Sequence, residues 1–268
     1  MTKTKSILFW FLAFLITISS AIYQRVTGPT YPVKGRVNFD GKLITYKFER
    51  SHSSNKNYLI EINIDNNVEG ILYWKRYKFD QNFKSILMTN NNGLKAELPK
   101  QPPAGKLEYF IELKKDDKKI FLPEDKTVVI RFKGDVPDFI LIPHILAMFL
   151  SMLFSTRAAF EYFSKEPKLK FYFLLTIISL FIGGFILGPI MQYYAFGKWW
   201  TGFPFGFDLT DNKTLIAMIG WLFAFYKIKK SSNPKVWVLA AAILMLIVYL
   251  IPHSLLGSEL DYSKIDVK

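Results

Sequence analysis

The residues best suited to chemistry in this 268-residue chain are its histidines, because it has only three of them and no cysteine. Two of the three, His144 and His253, sit in matching settings, "LIPHIL" and "LIPHSL". An imidazole is a ligand for haem iron and for copper. Met148 and Met152 follow His144 at i+4 and i+8, so a helix would carry all three on one face. Thioether and imidazole together suit copper(I). His144, His253 and Met148 are therefore candidate haem or copper ligands. The structural alternative is that methionine fills irregular gaps between helices and that an interfacial histidine bonds a neighbouring carbonyl. His52, in "ERSHSSNKN", reads as a surface residue of a polar loop. The lack of cysteine excludes thiolate catalysis, disulfides, iron–sulfur clusters and Cys-type zinc sites.

A second constellation lies at 198–213, "KWWTGFPFGFDLTDNK". Its tryptophans and phenylalanines suit a membrane–water interface, and its glycines and proline break any helix. Asp208 or Thr210 can cap the helix that follows, and Asp211 complements that helix's positive end. The same residues suggest a pocket: Trp199, Trp200, Asp208 and Asp211, joined by His144 and His253, form a candidate outer-face site. The acidic residues do not match the calcium-loop pattern. No nucleophile elbow, phosphate-binding loop, HExxH or dinucleotide fingerprint occurs. The expected role is therefore non-enzymatic, with no reaction assigned.

The elements that must hold these residues are set by composition. Half the residues are hydrophobic, 17% are aromatic, and the mean hydropathy is +0.16, values of a membrane protein. Apolar runs at 7–23, 139–160, 171–193, 214–228 and 236–253 predict about five transmembrane helices. The first run fits either a cleaved signal peptide or a retained anchor, and the anchor is preferred. Gly183, Gly184 and Gly188 in the third predicted span form a small-residue surface for close helix packing. Arg157 and Glu161, four apart, are placed to pair at the end of the second, in an anchoring role. Basic residues cluster at Lys3 and Lys5, at Arg157 to Lys170, and at Lys227 to Lys235. All fall inside if the N-terminus is cytoplasmic, which places the long segment after the first span, the aromatic connector and the C-terminus outside.

That long segment, 26–137, alternates polar and apolar residues in short runs. "VKGRVNF" and "LITYKFE" flank Asp40-Gly41, a strong hairpin signal. Further strand-like runs at 58–64, 70–77, 83–89, 94–98, 106–114 and 127–133 predict an antiparallel β-sandwich. Its basic excess suits an anionic partner or an ordinary lysine-rich surface, and nothing in it resembles a nucleic-acid fold.

The stretch "LPKQPPAGKLEYFIEL" resembles the corner leading into a late strand of immunoglobulin-like and fibronectin type III-like domains. That resemblance implies that the Tyr109 hydroxyl bonds back to the turn before it. With "VPDFILIPHILAMF" and "WTGFPFGFDLTDNK", most of the chain resembles an uncharacterised family of bacterial multi-pass membrane proteins. The resemblance implies an architecture and no activity. The expected layout is an anchor at 1–25, an extracytoplasmic β-sandwich at 26–137, a four-helix transmembrane bundle at 138–256 and an extracytoplasmic tail at 257–268. The expected setting is the bacterial inner membrane. The lipid bilayer and a membrane or periplasmic protein are the expected partners, with no nucleic acid.

Overall fold

The computed structural model describes residues 2–64, 67–252, 257 and 259–265. The chain divides into two compact units. One comprises Met1–Pro29 with Val136–Ser258, and the other Thr30–Asp135 with Glu259–Lys268.

The helical unit opens with α1 (Lys3–Thr27), capped by the Thr2 hydroxyl, which accepts from Lys5 N–H. Phe9, Ala13, Thr17 and Ser20 are its buried face, recurring every three or four residues as a helix requires. Its other faces expose large apolar side chains such as Ile7, Phe11 and Phe14.

In the second unit, β1 (Val33–Phe39) and β2 (Lys42–Phe48) pair through a two-residue turn. Asp40 and Gly41 both have positive φ, 52° and 77°, as a type I′ hairpin turn demands. The strands that follow are β3 (Ser51–Ser53), β4 (Tyr58–Ile62), β5 (Glu69–Arg76), β6 (Lys84–Leu87), β7 (Thr89–Asn90), β8 (Leu94–Leu98), β9 (Lys106–Lys115), β10 (Lys118–Leu122) and β11 (Val128–Lys133). A six-stranded sheet runs β3-β11-β9-β5-β6, with β10 also on β9, and a three-stranded sheet runs β4-β8-β7. Alternate residues turn inward: Leu107, Tyr109, Ile111 and Leu113 of β9 are all fully buried. They meet Phe48, Ile60, Leu72, Leu98 and Ile130 in one core drawn from all three sheets.

Three expectations change here. His52 lies in β3, paired in parallel with β11, and not in a loop. A three-residue strand shows no periodicity, and parallel pairing comes from a distant partner that local pattern cannot reveal. Residues 118–122 form a strand of their own: in "KKDDKK" only the two aspartates turn, and the flanking lysines belong to β9 and β10. The Tyr109 hydroxyl bonds to Glu49 O at 3.2 Å, and not to the proline-rich turn preceding it. The tyrosine at that turn is Tyr262, from the C-terminal segment. Its hydroxyl accepts from Lys106 N–H at 3.0 Å and lies 3.1 Å from Gln101 Oε1. Burial pushes the Tyr262 hydroxyl up to about 12. Glu259 adds a bond from Lys106 Nζ at 2.7 Å, so the described part of the tail is folded onto the β unit.

Back in the helical unit, α2 (Asp138–Ala159) continues as a 3₁₀ turn at Phe160–Phe163. A third long helix is built from α3 (Leu169–Leu180), a π-helical segment at Phe181–Leu187 and α4 (Gly188–Phe196). α5 (Leu209–Lys230) and α6 (Pro234–Leu250) complete the unit. Three helical stretches, Lys3–Thr27, Asp138–Phe163 and Leu169–Phe196, are long and apolar enough to cross a membrane, and α6 is a shorter apolar helix. Trp221 of α5 is wholly buried at the centre, its indole N–H 3.2 Å from Met245 Sδ.

Candidate functional site

The two ends of the helical unit are chemically different. At one end, Lys5 of α1 and Lys235 of α6 donate to the successive carbonyls of Phe163 and Ser164, closing the last turn after α2. Arg157 and Glu161 lie just inside. They are 0% and 1% exposed and joined by a 2.7 Å ion pair, the i, i+4 pairing that the spacing predicts. The Arg157 guanidinium packs over the rings of Phe9, Trp10 and Tyr172, while Glu161 Oε2 accepts from Lys168 N–H. One pair thus ties α1, α2 and α3 together. Arg157 Nε and Nη2 have no hydrogen-bond partner among the described residues.

The other end carries the residues singled out for chemistry. His144 Nδ1 lies 2.9 Å from Gly183 O, which accepts, so Nδ1 carries the hydrogen and Nε2 is left as an acceptor. Gly183 O also accepts from Gly188 N–H in the π-helical segment. A Cβ on Gly183 would sit 2.8 Å from Met148 Sδ, and one on Gly184 would sit 2.5 Å from Thr214 Cγ2. These two glycines therefore let the third long helix approach α2 and α5 closely. Gly188 instead lies beside Gly183 O and His144.

The aromatic connector folds onto itself. Asp208 caps α5, accepting from Thr210 N–H at 2.8 Å. Asp211 accepts from Thr201 N–H at 2.7 Å and from its hydroxyl at 3.1 Å, and the Gln192 amide can donate to both of its oxygens. Asn212 accepts from Phe203 N–H at 2.7 Å. Trp200 stacks on Phe185 and Trp199 on Tyr193. Phe205 and Phe207 are 82% and 91% exposed, so they project outward and enclose nothing. Asp208 and Asp211 thus hold backbone, with their oxygens occupied by loop and helix N–H groups.

A cavity of about 350 Å³ lies among α1, α2 and α6. Thr17, Ser20, Ala21, Gln24 and Arg25 line it from α1, at the i, i+3, i+4, i+7, i+8 spacing of one helical face. His144, Ile145, Met148, Phe149 and Met152 line it from α2, and Tyr249 from α6. Of the expected site residues it takes His144 and Met148, and it takes none of Trp199, Trp200, Asp208 or Asp211. His253 lies outside the described residues. Among the described residues no three His, Asp or Glu side chains gather as a metal site.

The cavity polar groups are mostly fixed. Gln24 Nε2 donates to Tyr249 O at 2.6 Å and to Ile251 O at 3.3 Å. The Tyr249 hydroxyl lies 2.9 Å from Ser151 Oγ. Outside the lining of this cavity, Lys213, buried in the second turn of α5, donates to the same Ile251 O at 2.6 Å. Gln24, Lys213 and Tyr249 were not singled out from sequence. The available signal was the run of small and polar residues along one face of an otherwise apolar α1. No protein-family model, curated protein or solved structure matches the chain.

Proposed function

We propose that the chain is a multi-pass protein of the bacterial cytoplasmic membrane, with α1 retained as a span and about five helices crossing. Thr30–Asp135 would be an immunoglobulin-like sandwich displayed outside, as in the uncharacterised bacterial family that the sequence resembles. Its role is that of a binding or scaffold subunit of a membrane complex. One observation carries this reading. α1 ends, α2 begins and α6 ends at the helical-unit end bearing Gln24, His144 and Ile251, and the lysine-rich loops lie at the other. Charge bias then puts the lysines in the cytoplasm and all three connections to the β unit outside. The packing of Phe9 and Trp10 against Arg157 supports retention of α1, because a cleaved segment would leave that guanidinium without its aromatic cover. Isolation of the native protein in mild detergent tests the role. A stoichiometric protein partner is expected, and a monomer with none would overturn it.

A second reading, a redox or metal-handling protein, is favoured by the His144 geometry alone. An Nδ1–H donated to a carbonyl is the usual orientation of a ligating histidine. A Soret band or bound copper that disappears in His144→Ala is its expected signature; neither being present would remove it.

A further inference from the structure

The α1–α2–α6 cavity is walled by two helices that run antiparallel: Phe9 stacks on Phe160, and Phe14 meets Phe149 edge-on. Gln24 therefore lies towards the His144 end and Thr17 towards the Met152 end. Each wall, Thr17 to Arg25 and His144 to Met152, covers about 12 Å of helix. Ala21 and Ile145 at its margin are exposed, so the cavity opens along the outer flank of α1 and α2. Dry, empty cavities are apolar throughout, whereas ligand pockets of this size combine apolar walls with a few placed polar groups.

The hydrogen bonding of those polar groups is one-sided. The Thr17 hydroxyl donates to Ala13 O at 2.8 Å and the Ser20 hydroxyl to Ile16 O at 2.7 Å. The Gln24 amide donates to Tyr249 O and Ile251 O, and the Tyr249 hydroxyl is held by Ser151 Oγ and Met148 O. His144 gives its Nδ1–H to Gly183 O. Arg25, at the margin, has an interaction of its own, so recognition is left to the others. The side-chain donors of those others are committed within the helical unit. What they still offer is acceptors, chiefly Gln24 Oε1 from α1 and His144 Nε2 from α2. No carboxylate is among the lining residues. Acceptors of this kind select a neutral head that brings its own hydroxyl hydrogens. The apolar lining includes the Phe149 ring and the thioethers of Met148 and Met152, soft groups that suit an aromatic ring.

We infer that the cavity binds the head of a membrane hydroquinone, an aromatic diol on an apolar tail. One phenolic hydroxyl donates to His144 Nε2 and the other to Gln24 Oε1. The ring lies against Met148 and Phe149, and the tail leaves past Ala21 and Ile145 into the bilayer. The oxidised quinone carries only acceptors and leaves those two atoms without a donor, so the site discriminates between the redox forms. The inference rests on the membrane reading above and adds a ligand to it.

Equilibrium dialysis of dodecylhydroquinone against the delipidated full-length chain in detergent, under anaerobic conditions, tests this. The comparison ligands are its dimethyl ether and dodecylbenzoquinone, which lack the donors, and monolaurin, whose hydroxyls sit on a glycerol. One saturable site is expected for dodecylhydroquinone, with at least about tenfold preference over each of the three. His144→Ala and Gln24→Ala should each shrink the preference over the ether, a ratio of affinities taken within one variant. Lys198→Gln, an exposed charge on the connector, should leave that ratio unchanged. Ala21→Leu, which narrows the opening, should weaken dodecylhydroquinone, and unchanged binding would place the ligand elsewhere and overturn the assignment. The ether or the quinone binding as tightly as dodecylhydroquinone would overturn the hydroxyl contacts, as would a full preference retained in both His144→Ala and Gln24→Ala. Monolaurin binding as tightly would overturn the aromatic head. Fractionation of the same preparation separates the two levels: a chain absent from membranes overturns the membrane reading, and a membrane-inserted chain without saturable binding overturns only the cavity ligand.

Discussion

Asp40 illustrates how one residue serves both backbone and charge. Its φ of 52° makes the first half of the β1–β2 turn, and its carboxylate receives Lys115 at 2.5 Å and Lys118 at 2.8 Å. Hydrogen bonds from Lys115 and then Lys118, with their charges, hold the Asp40 carboxyl at about 2, below its usual 3.8. A depressed folded-state value gives stability that is present above the unfolded value and lost as pH falls towards the folded one. The melting temperature of the β unit should therefore fall between about pH 4 and pH 2, and Asp40→Asn should flatten that fall. The turn was readable because Asp-Gly between alternating runs has few other uses. Tyr262 was not, since its partners Gln101 and Lys106 are more than 150 residues away and nothing local marks a tail tyrosine for burial. Tyr262→Phe should keep the ring among Phe79 and Arg76 but strand Lys106 N–H. The expected cost is about 1–2 kcal/mol in denaturant unfolding of the β unit.

Among the elements, the third long helix depends on its glycines. Apolar runs and glycines were visible in sequence, whereas the π-helical segment, and so the carbonyl that meets His144, follows from packing against α2 and α5. A Cβ on Gly184 collides with the branched methyl of Thr214, a stiff side chain. Gly184→Ala should destabilise the helical unit by about 1–3 kcal/mol in detergent melts, and Thr214→Ser, which deletes that methyl, should restore most of the loss. Arg157 and Glu161 show what spacing alone leaves open. Their i, i+4 relation was plain, but their complete burial depends on three aromatic rings from α1 and α3. Arg157→Ala leaves a buried carboxylate and should cost about 3–5 kcal/mol; Arg157→Ala with Glu161→Gln should recover part of it. An Arg157→Ala melt matching the parent would show that the pair is solvated.

For the whole molecule, composition and charge carry most of what can be read without coordinates. The long apolar runs mark helices, and three of these are long enough to span a bilayer. What was not readable is how the chain apportions itself. Glu259 and Tyr262 return to the β unit through contacts with Lys78, Lys106 and Gln101, none of them local. The candidate pocket divided for a similar reason. Asp208 was consumed by an N–H of the helix it caps and Asp211 by the Thr201 N–H of the connector, while His144 turned to a cavity whose other wall is α1.

The central claim is topological, and the cysteine-free chain makes it simple to test. Single cysteines at Lys100, exposed in the β unit, and Ser232, exposed in the α5–α6 loop, can be treated in intact spheroplasts with a membrane-impermeant maleimide. The account predicts labelling of Lys100→Cys from outside and of Ser232→Cys only after lysis. Labelling of Ser232→Cys in intact spheroplasts, or protection of Lys100→Cys, would contradict it.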